Sequence, residues 1–227
     1  GLRVKLTEPA VSPLQVQGPK AKDVLRALFG DAVLQLRYYH FLETALDGIP
    51  VVVTRTGWTG EVGYEIYLRD GSRGDELWER IMEAGRPHDI RPTGPSDIRR
   101  IEAGILNWGA DMTLENNVYE VGLEYLVEEG KRAEYIGREA LGRIKEAGVQ
   151  RKLVGVEIEG ARIAMNAAPL RVKSGGEEIG LVTSAIYSPR LKKNIGYAMV
   201  PIAHAAPGTA LRVKIPGVGE RKATVVP

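Results

Sequence analysis

The chain has 227 residues, of which 44% are hydrophobic and 26% charged, and it carries a net charge of +2. This length predicts one large domain or two small ones, with room for a proper core. So small a net charge argues against a nucleic-acid binder, which needs a concentrated basic surface. No apolar run approaches the ~18 residues of a membrane-spanning helix, and the absence of cysteine excludes disulfides, thiolate nucleophiles and cysteine metal sites. Since a chain without cysteine suits a reducing compartment, we expect a cytoplasmic protein.

Strands and helices are predicted to alternate along the first part of the chain. The opening six residues already alternate polar and apolar side chains like a strand. Asp47-Gly48 favours a type I′ turn between two strands, and helices packed on an antiparallel sheet, an α+β layer, are therefore expected. The remaining predicted elements are strands over 14–17, 41–46, 49–54 and 64–68 and helices over 24–28, 75–84, 98–103 and 139–147.

The pattern changes from Lys152 onward to short apolar strands separated by Gly and Pro. Regular spacing of this kind is typical of a small antiparallel β-barrel. We therefore predict two domains, residues 1–148 and 149–227, with Gly148 closing the helix at the boundary. The predicted barrel strands are 153–158, 170–173, 180–184, 196–200, 210–215 and 222–226.

The stretch Arg55–Ile66 contains the strongest candidate site. Its glycines at 57, 60 and 63 let the backbone take positive φ, which predicts a glycine-rich turn between two strands. The GxxGxxG spacing and the strand that follows exclude a dinucleotide-binding fingerprint. Glu65 lies beyond the turn, next to aromatic residues, where a carboxylate can accept paired hydrogen bonds from a planar N–H donor edge. The alternative is an outward-facing strand residue, because strands alternate faces.

This loop and three further segments resemble the glycine-cleavage T-protein (aminomethyltransferase) superfamily. The four segments occur in the family's order along nearly the whole chain. The resemblance implies that residues 1–148 are the later part of the folate-binding α+β region, that residues 149–227 are the C-terminal β-barrel, and that tetrahydrofolate is the cofactor. The further matching segments are Leu14–Pro19, Ile101–Leu106 with Asp111-Met112, and Thr183-Ser184 with Ser188–Asn194.

The resemblance also implies folate-binding residues. Glu65 aligns with the family's pterin-binding glutamate, and a carboxylate can accept both N3–H and the 2-amino group of a pterin in a charge-assisted pair. Trp58 stands where the family faces the folate rings, and aromatic stacking contributes ~0.5–1.5 kcal/mol. The alternative for Trp58 is a loop anchor packed on the core. Tyr38 and Tyr39 stand where some relatives place tyrosines against folate, and ordinary strand packing is equally open.

One departure from the family separates its two main activities. True aminomethyltransferases carry an arginine where this chain has Ser96, and a serine cannot supply a guanidinium fork. The next arginines in the sequence are Arg99 and Arg100. The folate-dependent demethylase branch also tends to lack that arginine, so we expect transfer of a methyl group from an S-, N- or O-methyl donor to tetrahydrofolate. A glycine-cleavage aminomethyltransferase and a non-catalytic subunit of a split complex are the alternatives.

The family's early segment, which carries an aspartate credited with a catalytic role, has no counterpart in this chain. The chain would then be a processed fragment, a shortened protein or a subunit of a split enzyme, whose catalytic residues stay unknown. We expect a small methyl donor and a chain supplying that segment as partners, but neither nucleic acid nor membrane. The implied reaction needs no metal and no covalent enzyme intermediate, so the protein's part is positioning and electrostatic help.

Three weaker patterns complete the candidate sites. The basic cluster of Arg190, Lys192 and Lys193 indicates either a solvated face or a contact to the glutamate tail of folate. Asp111 with Glu115 suggests an acid–base pair, and an exposed loop explains both equally well. The histidines show no metal-ligand spacing, so no metal site is predicted; they are His40, His88 and His204.

Overall fold

The structure is a computed structural model, which describes residues 2–6, 8, 11–128, 130–163 and 169–227. Contacts divide the chain into two compact units, Gly1–Ser96 and Asp97–Pro227. The α-helices are α1 (Ala21–Phe29), α2 (Gly74–Gly85), α3 (Asp97–Glu102) and α4 (Arg138–Ala147). The strands are β1 (Ser12–Gln17), β2 (Phe41–Leu46), β3 (Ile49–Thr54), β4 (Gly63–Leu68), β5 (Arg151–Ile158), β6 (Leu170–Ser174), β7 (Glu177–Ser188), β8 (Lys193–Pro201), β9 (Ala210–Ile215) and β10 (Gly219–Val226).

The first unit is a four-stranded antiparallel sheet with helices on one face, as the α+β prediction requires. Its strand order is β1-β4-β3-β2, so β1 and β2 are the sheet edges. Asp47 and Gly48 both have positive φ, 48° and 79°, which is the backbone that a type I′ hairpin needs. Alternate strand residues face the helices and form a fully buried core, which includes Leu25 of α1, Val53 of β3, Tyr64 and Ile66 of β4 and Leu77 of α2.

The second unit is built on a closed antiparallel barrel of six strands, which confirms the prediction for the end of the chain. Its order is β10-β5-β8-β7-β6-β9. Aliphatic side chains from the six strands fill the interior, as is usual for a barrel of this size. Val156, Val172, Val182, Ala198 and Val213 are all essentially inaccessible to solvent there.

Helix α3 and the irregular segment after it pack on the outside of this barrel. Ile101 and Val121 join Leu153, Ile186 and Tyr197 of the barrel strands in a second apolar cluster. The contact-based division between residues 96 and 97 therefore differs from the boundary near Gly148 that the sequence predicts. The division at residue 96 reflects the packing of α3 and the following segment on the barrel. The predicted domain boundary near Gly148 stays a prediction.

Two observations concern the chain outside these elements. The expected strand at the start of the chain is wrong, because residues 2–6 have no regular structure and Leu2, Val4 and Leu6 are largely exposed. A short apolar alternation does not by itself form a strand when its apolar side chains stay exposed. Among the residues that the structure describes, no helix is long and apolar enough to cross a membrane.

Candidate functional site

Glu65 lies on the face of the four-stranded sheet opposite the helices. In β4, Tyr64 and Ile66 point into the core, so the alternation directs Glu65 and Tyr67 outward. The register sets Glu65 between Gln15 of β1 and Thr54 of β3. Glu65 is half-buried. The description as an outward-facing strand residue is confirmed, and this position also leaves the carboxylate accessible.

The Glu65 carboxylate accepts hydrogen bonds from three side chains. Gln15 Nε2 donates to Oε1 at 3.0 Å, the Tyr67 hydroxyl donates to Oε2 at 3.2 Å, and the Thr56 hydroxyl also donates to Oε2. All three donors are neutral, and no ion pair with Glu65 is found within the described part of the chain. A carboxylate has about four lone-pair sites. The arrangement therefore orients Glu65 and leaves Oε1, with one donor, room for another.

Tyr67 is held in its neutral form by the same arrangement. Burial raises the pKa of its phenol first, and the neighbouring Glu65 charge and hydrogen bond raise it further. A neutral phenol donates its proton to the carboxylate, whereas a phenolate would repel it. Tyr67 therefore acts as a fixed donor to Glu65.

Two of the three glycines in the glycine-rich loop have a structural role that differs from the predicted one. Gly60 has the expected positive φ of 72°, but Gly57 and Gly63 do not take positive φ, so the predicted reason is wrong for them. A Cβ on either residue would collide with the side chain of Gln17. Gly57 and Gly63 leave room for the end of the Gln17 side chain, and a larger residue at either position would require that side chain to shift.

Aromatic side chains cluster where the loop begins. The guanidinium carbon of Arg55 lies 5.9 Å from the ring centroid of Tyr38 and 5.3 Å from that of Tyr64, within the range of cation–π attraction. The Tyr38 and Tyr39 centroids are 4.1 Å apart. Trp58 is half-buried within the loop.

Tyr38 and Tyr39 are not packed as strand residues. They precede β2, Tyr39 has a positive φ of 64°, and 56% and 70% of their surfaces are exposed. Ordinary strand packing is therefore the wrong description, because these rings lie on the surface. The Tyr39 amide donates to the Arg55 carbonyl at 3.2 Å, which attaches the tyrosine pair to the start of the loop.

A second polar cluster, in the other unit, surrounds Asp111. This residue is only 2% exposed, so the exposed-loop explanation of Asp111 is wrong, whereas Glu115 is exposed. Arg100 Nη1 donates to Asp111 Oδ2 at 2.7 Å. The hydroxyls of Thr183 and Ser184 donate to Oδ1 at 2.7 and 2.5 Å. A register shift in β7 between Val182 and Ser184 turns both hydroxyls toward the carboxylate.

Sequence reasoning missed the role of Arg100. It is 3% exposed and also donates to Asp97 Oδ1 at 2.6 Å and to the Ser184 hydroxyl at 2.9 Å. The Asp97–Arg100 spacing of one helical turn was a local signal for this pairing. Its second partner, Asp111, follows an irregular segment and left no such signal.

The basic cluster is exposed, with Arg190 and Lys192 on the turn between β7 and β8 and Lys193 at the start of β8. Lys193 pairs with Glu157 of the adjacent strand at 2.7 Å, an arrangement typical of a solvated face. Across the described residues, no group of His, Cys, Asp and Glu side chains is arranged to hold a metal ion.

Comparison with known proteins places the chain in a family. The family model for the GCVT N-terminal domain matches residues 2–131, and the model for the glycine cleavage T-protein C-terminal barrel domain matches residues 151–227. The chain belongs to the glycine cleavage T-protein family. This membership confirms the resemblance and the predicted order of an α+β region followed by a barrel.

Similar proteins in the T-protein family include both a demethylase and aminomethyltransferases. The chain is 38% identical over 226 residues to the dimethylsulfoniopropionate demethylase DmdA of Ruegeria pomeroyi, covering 99% of the chain and 61% of the relative. It is 40% identical over 212 residues to an aminomethyltransferase of Symbiobacterium thermophilum, covering 91% and 56%. The chain therefore spans about three-fifths of the length of these relatives.

A solved structure has the same fold. The aminomethyltransferase T of the Bartonella henselae glycine cleavage system matches 96% of this chain and 58% of its own, with a TM-score of 0.77 and 25% sequence identity. The T-protein fold is therefore established for this chain. The match does not identify the residues that bind a ligand.

Proposed function

We propose that this T-protein family member binds tetrahydrofolate on the sheet face opposite the helices. We propose further that it takes part in transferring a methyl group to this cofactor. The observation that carries the proposal is the position of Glu65, a half-buried carboxylate held by neutral donors at the end of the glycine-rich loop. Bound tetrahydrofolate supplies the N5 atom that accepts the one-carbon unit. The relatives of this chain, a demethylase and aminomethyltransferases, support a transferase of this kind.

The residues present fit a pterin ring. Its adjacent N–H donors match a carboxylate that still has acceptor capacity on Oε1, and Gln15, which donates to that oxygen, is an exposed side chain that can turn away. Trp58 and the Tyr38–Tyr39 pair, both attached to the loop, offer aromatic surface for the folate rings. Glu65 would bind and orient the pterin, and the aromatic residues would exclude water from it.

Ser96 favours demethylation over aminomethyl transfer. A serine cannot provide the guanidinium fork that aminomethyltransferases carry here. Arg100 does not replace it, because its guanidinium already binds Asp97, Asp111 and Ser184 inside the second unit. We therefore favour a small S-, N- or O-methyl donor.

The second candidate is a glycine-cleavage aminomethyltransferase. The 40% identity to the Symbiobacterium enzyme and the fold of the Bartonella enzyme support it. Product analysis distinguishes the candidates: the complete protein is incubated with tetrahydrofolate and a panel of methyl donors. We expect 5-methyltetrahydrofolate without a lipoylated carrier. Methylenetetrahydrofolate formed from an aminomethyl-lipoyl carrier, with every methyl donor refused, would assign aminomethyl transfer instead.

Catalysis is proposed to need the two-fifths of the relatives' length that this chain does not span. The four-stranded sheet has open edges at β1 and β2, and the exposed apolar Leu2, Val4 and Leu6 precede β1. Unpaired edges and exposed apolar groups suit pairing with further chain. The proposal would be contradicted if these 227 residues alone ran as a compact monomer in size-exclusion chromatography and turned over substrate. If the complete assembly bound folate without turnover, the non-catalytic subunit would be favoured.

A further inference from the structure

Gln17 makes an unusually complete set of contacts with the glycine-rich loop. It is the last residue of β1 and lies opposite Gly63 in the sheet register. Its Nε2 donates to the carbonyl oxygens of Thr56 at 3.2 Å and Tyr64 at 3.4 Å. Its Oε1 accepts a hydrogen bond from the Thr59 hydroxyl at 2.9 Å. Both ends of the amide are therefore used, one on each side of Gly57 and Trp58.

The loop is shaped around this side chain. A Cβ added to Gly57 or Gly63 would meet the Gln17 amide at distances that real Cβ atoms do not show. Neither glycine has the positive φ that would by itself require glycine. The two bare backbone positions thus form a slot that holds the end of the Gln17 side chain. A side chain at either position would have to displace the Gln17 amide from its hydrogen bonds.

The contact with Thr56 leads directly to the proposed ligand-binding carboxylate. Gln17 holds the Thr56 carbonyl, and the Thr56 hydroxyl donates to Glu65 Oε2. The Thr56 hydroxyl has a single proton, which it donates to Glu65. In the hydrogen bond between Thr54 and Thr56, the donor is therefore the Thr54 hydroxyl. The chain of contacts runs from Gln17 through Thr56 to Glu65.

We propose that Gln17 is the positioning residue of the site: by filling the slot between Gly57 and Gly63 it holds the loop closed, which fixes Thr56 against Glu65 and keeps Trp58 in place. The part concerning ligand affinity rests on the proposed function. The part concerning the loop is a property of the free protein. A preformed site of this kind binds more tightly because the loop is already ordered before the ligand arrives.

The first test needs no ligand. Trp78 and Trp108 are changed to Phe so that Trp58 alone reports, and acrylamide quenching is measured for the parent, Gln17→Met and Glu43→Gln proteins. Methionine keeps the length of the side chain without its polar atoms. Glu43 lies on the same sheet face, where it pairs with exposed Arg69 away from the loop, so Glu43→Gln is the control. We expect the quenching constant of Gln17→Met to rise by about twofold or more, because an untethered loop opens locally. Equal quenching in all three proteins would overturn the proposal.

A double-mutant cycle tests the slot itself. Gly57→Ala is made alone and together with Gln17→Ala, and thermal midpoints are compared. Because the added methyl collides with the Gln17 amide, its effect on the midpoint should be clearly smaller when Gln17 is already alanine. Additive shifts would mean that Gly57 does not accommodate Gln17.

The ligand test separates the two parts of the proposal. Tetrahydrofolate affinity of the complete protein is measured for Gln17→Met, Gln17→Glu and Glu65→Gln. Loss of one neutral hydrogen-bonding tether predicts a weakening of about tenfold for Gln17→Met. For Gln17→Glu we expect a similar loss, because a carboxylate cannot donate to Thr56. If Glu65→Gln weakens binding and both Gln17 variants bind normally, the positioning role is wrong. If the parent protein does not bind tetrahydrofolate, the proposed function fails and the quenching and cycle results still decide the role of Gln17.

Discussion

Glu65 and Asp111 are both carboxylates bound by several hydrogen-bond donors, and they differ in what surrounds them. Asp111 is 2% exposed and forms a buried ion pair with Arg100, which is almost as inaccessible. Glu65 is half-buried on an open sheet face, and its donors Gln15, Thr56 and Tyr67 are all neutral. One carboxylate is neutralised by a cation and sealed from water, whereas the other is oriented and still faces solvent.

This difference assigns the two residues different work. Burying a carboxylate is costly unless an opposite charge and hydrogen bonds compensate it. The Asp111 cluster meets that requirement completely, so it ties α3 and the irregular segment to the barrel. The Glu65 cluster contains no cation among the described residues, so a donor from a ligand can complete it. The Asp111 cluster stabilises the fold, whereas the Glu65 cluster is the one that we propose binds a ligand.

The largest expected effect is that of Asp111→Asn. The variant removes the buried counter-charge of Arg100 and leaves only the partly exposed Asp97 to balance the guanidinium. The loss of this charged hydrogen bond costs ~1.5–3 kcal/mol. Chemical denaturation of the whole chain measures the loss, with exposed Glu115→Gln as control. The control should change stability by less than ~0.5 kcal/mol, as surface substitutions usually do. An Asp111→Asn variant as stable as the parent would remove the distinction between the two clusters.

Tyr197→Phe should have a smaller effect on the same part of the molecule. The single proton of the Tyr197 hydroxyl is shared between the carbonyl oxygens of Ile101, at 3.2 Å, and Arg100, at 3.4 Å. Its loss leaves buried carbonyls without this donor, which costs ~1–2 kcal/mol near neutral pH. Denaturation of the variant beside the parent measures this, and equal stability would show that the two bonds are not needed.

The pH dependence of Tyr197 gives an independent check. Burial first, and then the Asp111 charge, raise its pKa well above the ordinary value of 10.0, with Arg100 opposing. The folded protein therefore holds this proton more tightly than the unfolded chain. The resulting stability is fully present below pH 10.0 and is lost as the pH rises through the folded-state pKa. The difference in the free energy of unfolding between the parent and Tyr197→Phe should become smaller at alkaline pH. A difference that stays constant with pH would contradict the raised pKa.

The smallest effect is expected from Tyr64→Phe in the first unit. The Tyr64 hydroxyl is buried without a hydrogen-bond partner among the described residues. Burial raises its pKa although Arg55 opposes this. Removing an unsatisfied polar atom while the ring stays should change stability by no more than ~0.5 kcal/mol and in the favourable direction. A loss above ~1 kcal/mol, which is the usual net value of one hydrogen bond, would reveal a partner for the hydroxyl.

The fold was predictable from local pattern, and much of the site was not. The six barrel strands and the hairpin at Asp47-Gly48 follow from alternation and turn residues, which are local properties. The outward direction of Glu65 follows from the same alternation. Asp111 was misread because its partners Thr183 and Ser184 lie more than 70 positions away and meet it only through a bulge. No periodicity contains that information.

The glycine-rich loop shows a second limit of sequence reasoning. Positive φ is predicted for all three glycines and is found only at Gly60. Gly57 and Gly63 instead lie against the amide of Gln17, whose bonds reach across 39 to 47 residues. A glycine in a sequence does not reveal which side chain passes over it.

The most direct test of the account is a calorimetric titration of the complete protein with tetrahydrofolate, comparing the parent, Glu65→Gln and the control Glu43→Gln. Glutamine keeps the shape of Glu65 and removes its charge. We expect tetrahydrofolate binding to weaken by ~1.5–3 kcal/mol in Glu65→Gln, the value of a hydrogen bond to a charged group. Folding stability should stay close to that of the parent, and Glu43→Gln should bind normally. Unchanged affinity in Glu65→Gln would remove Glu65 from the binding site and contradict the account.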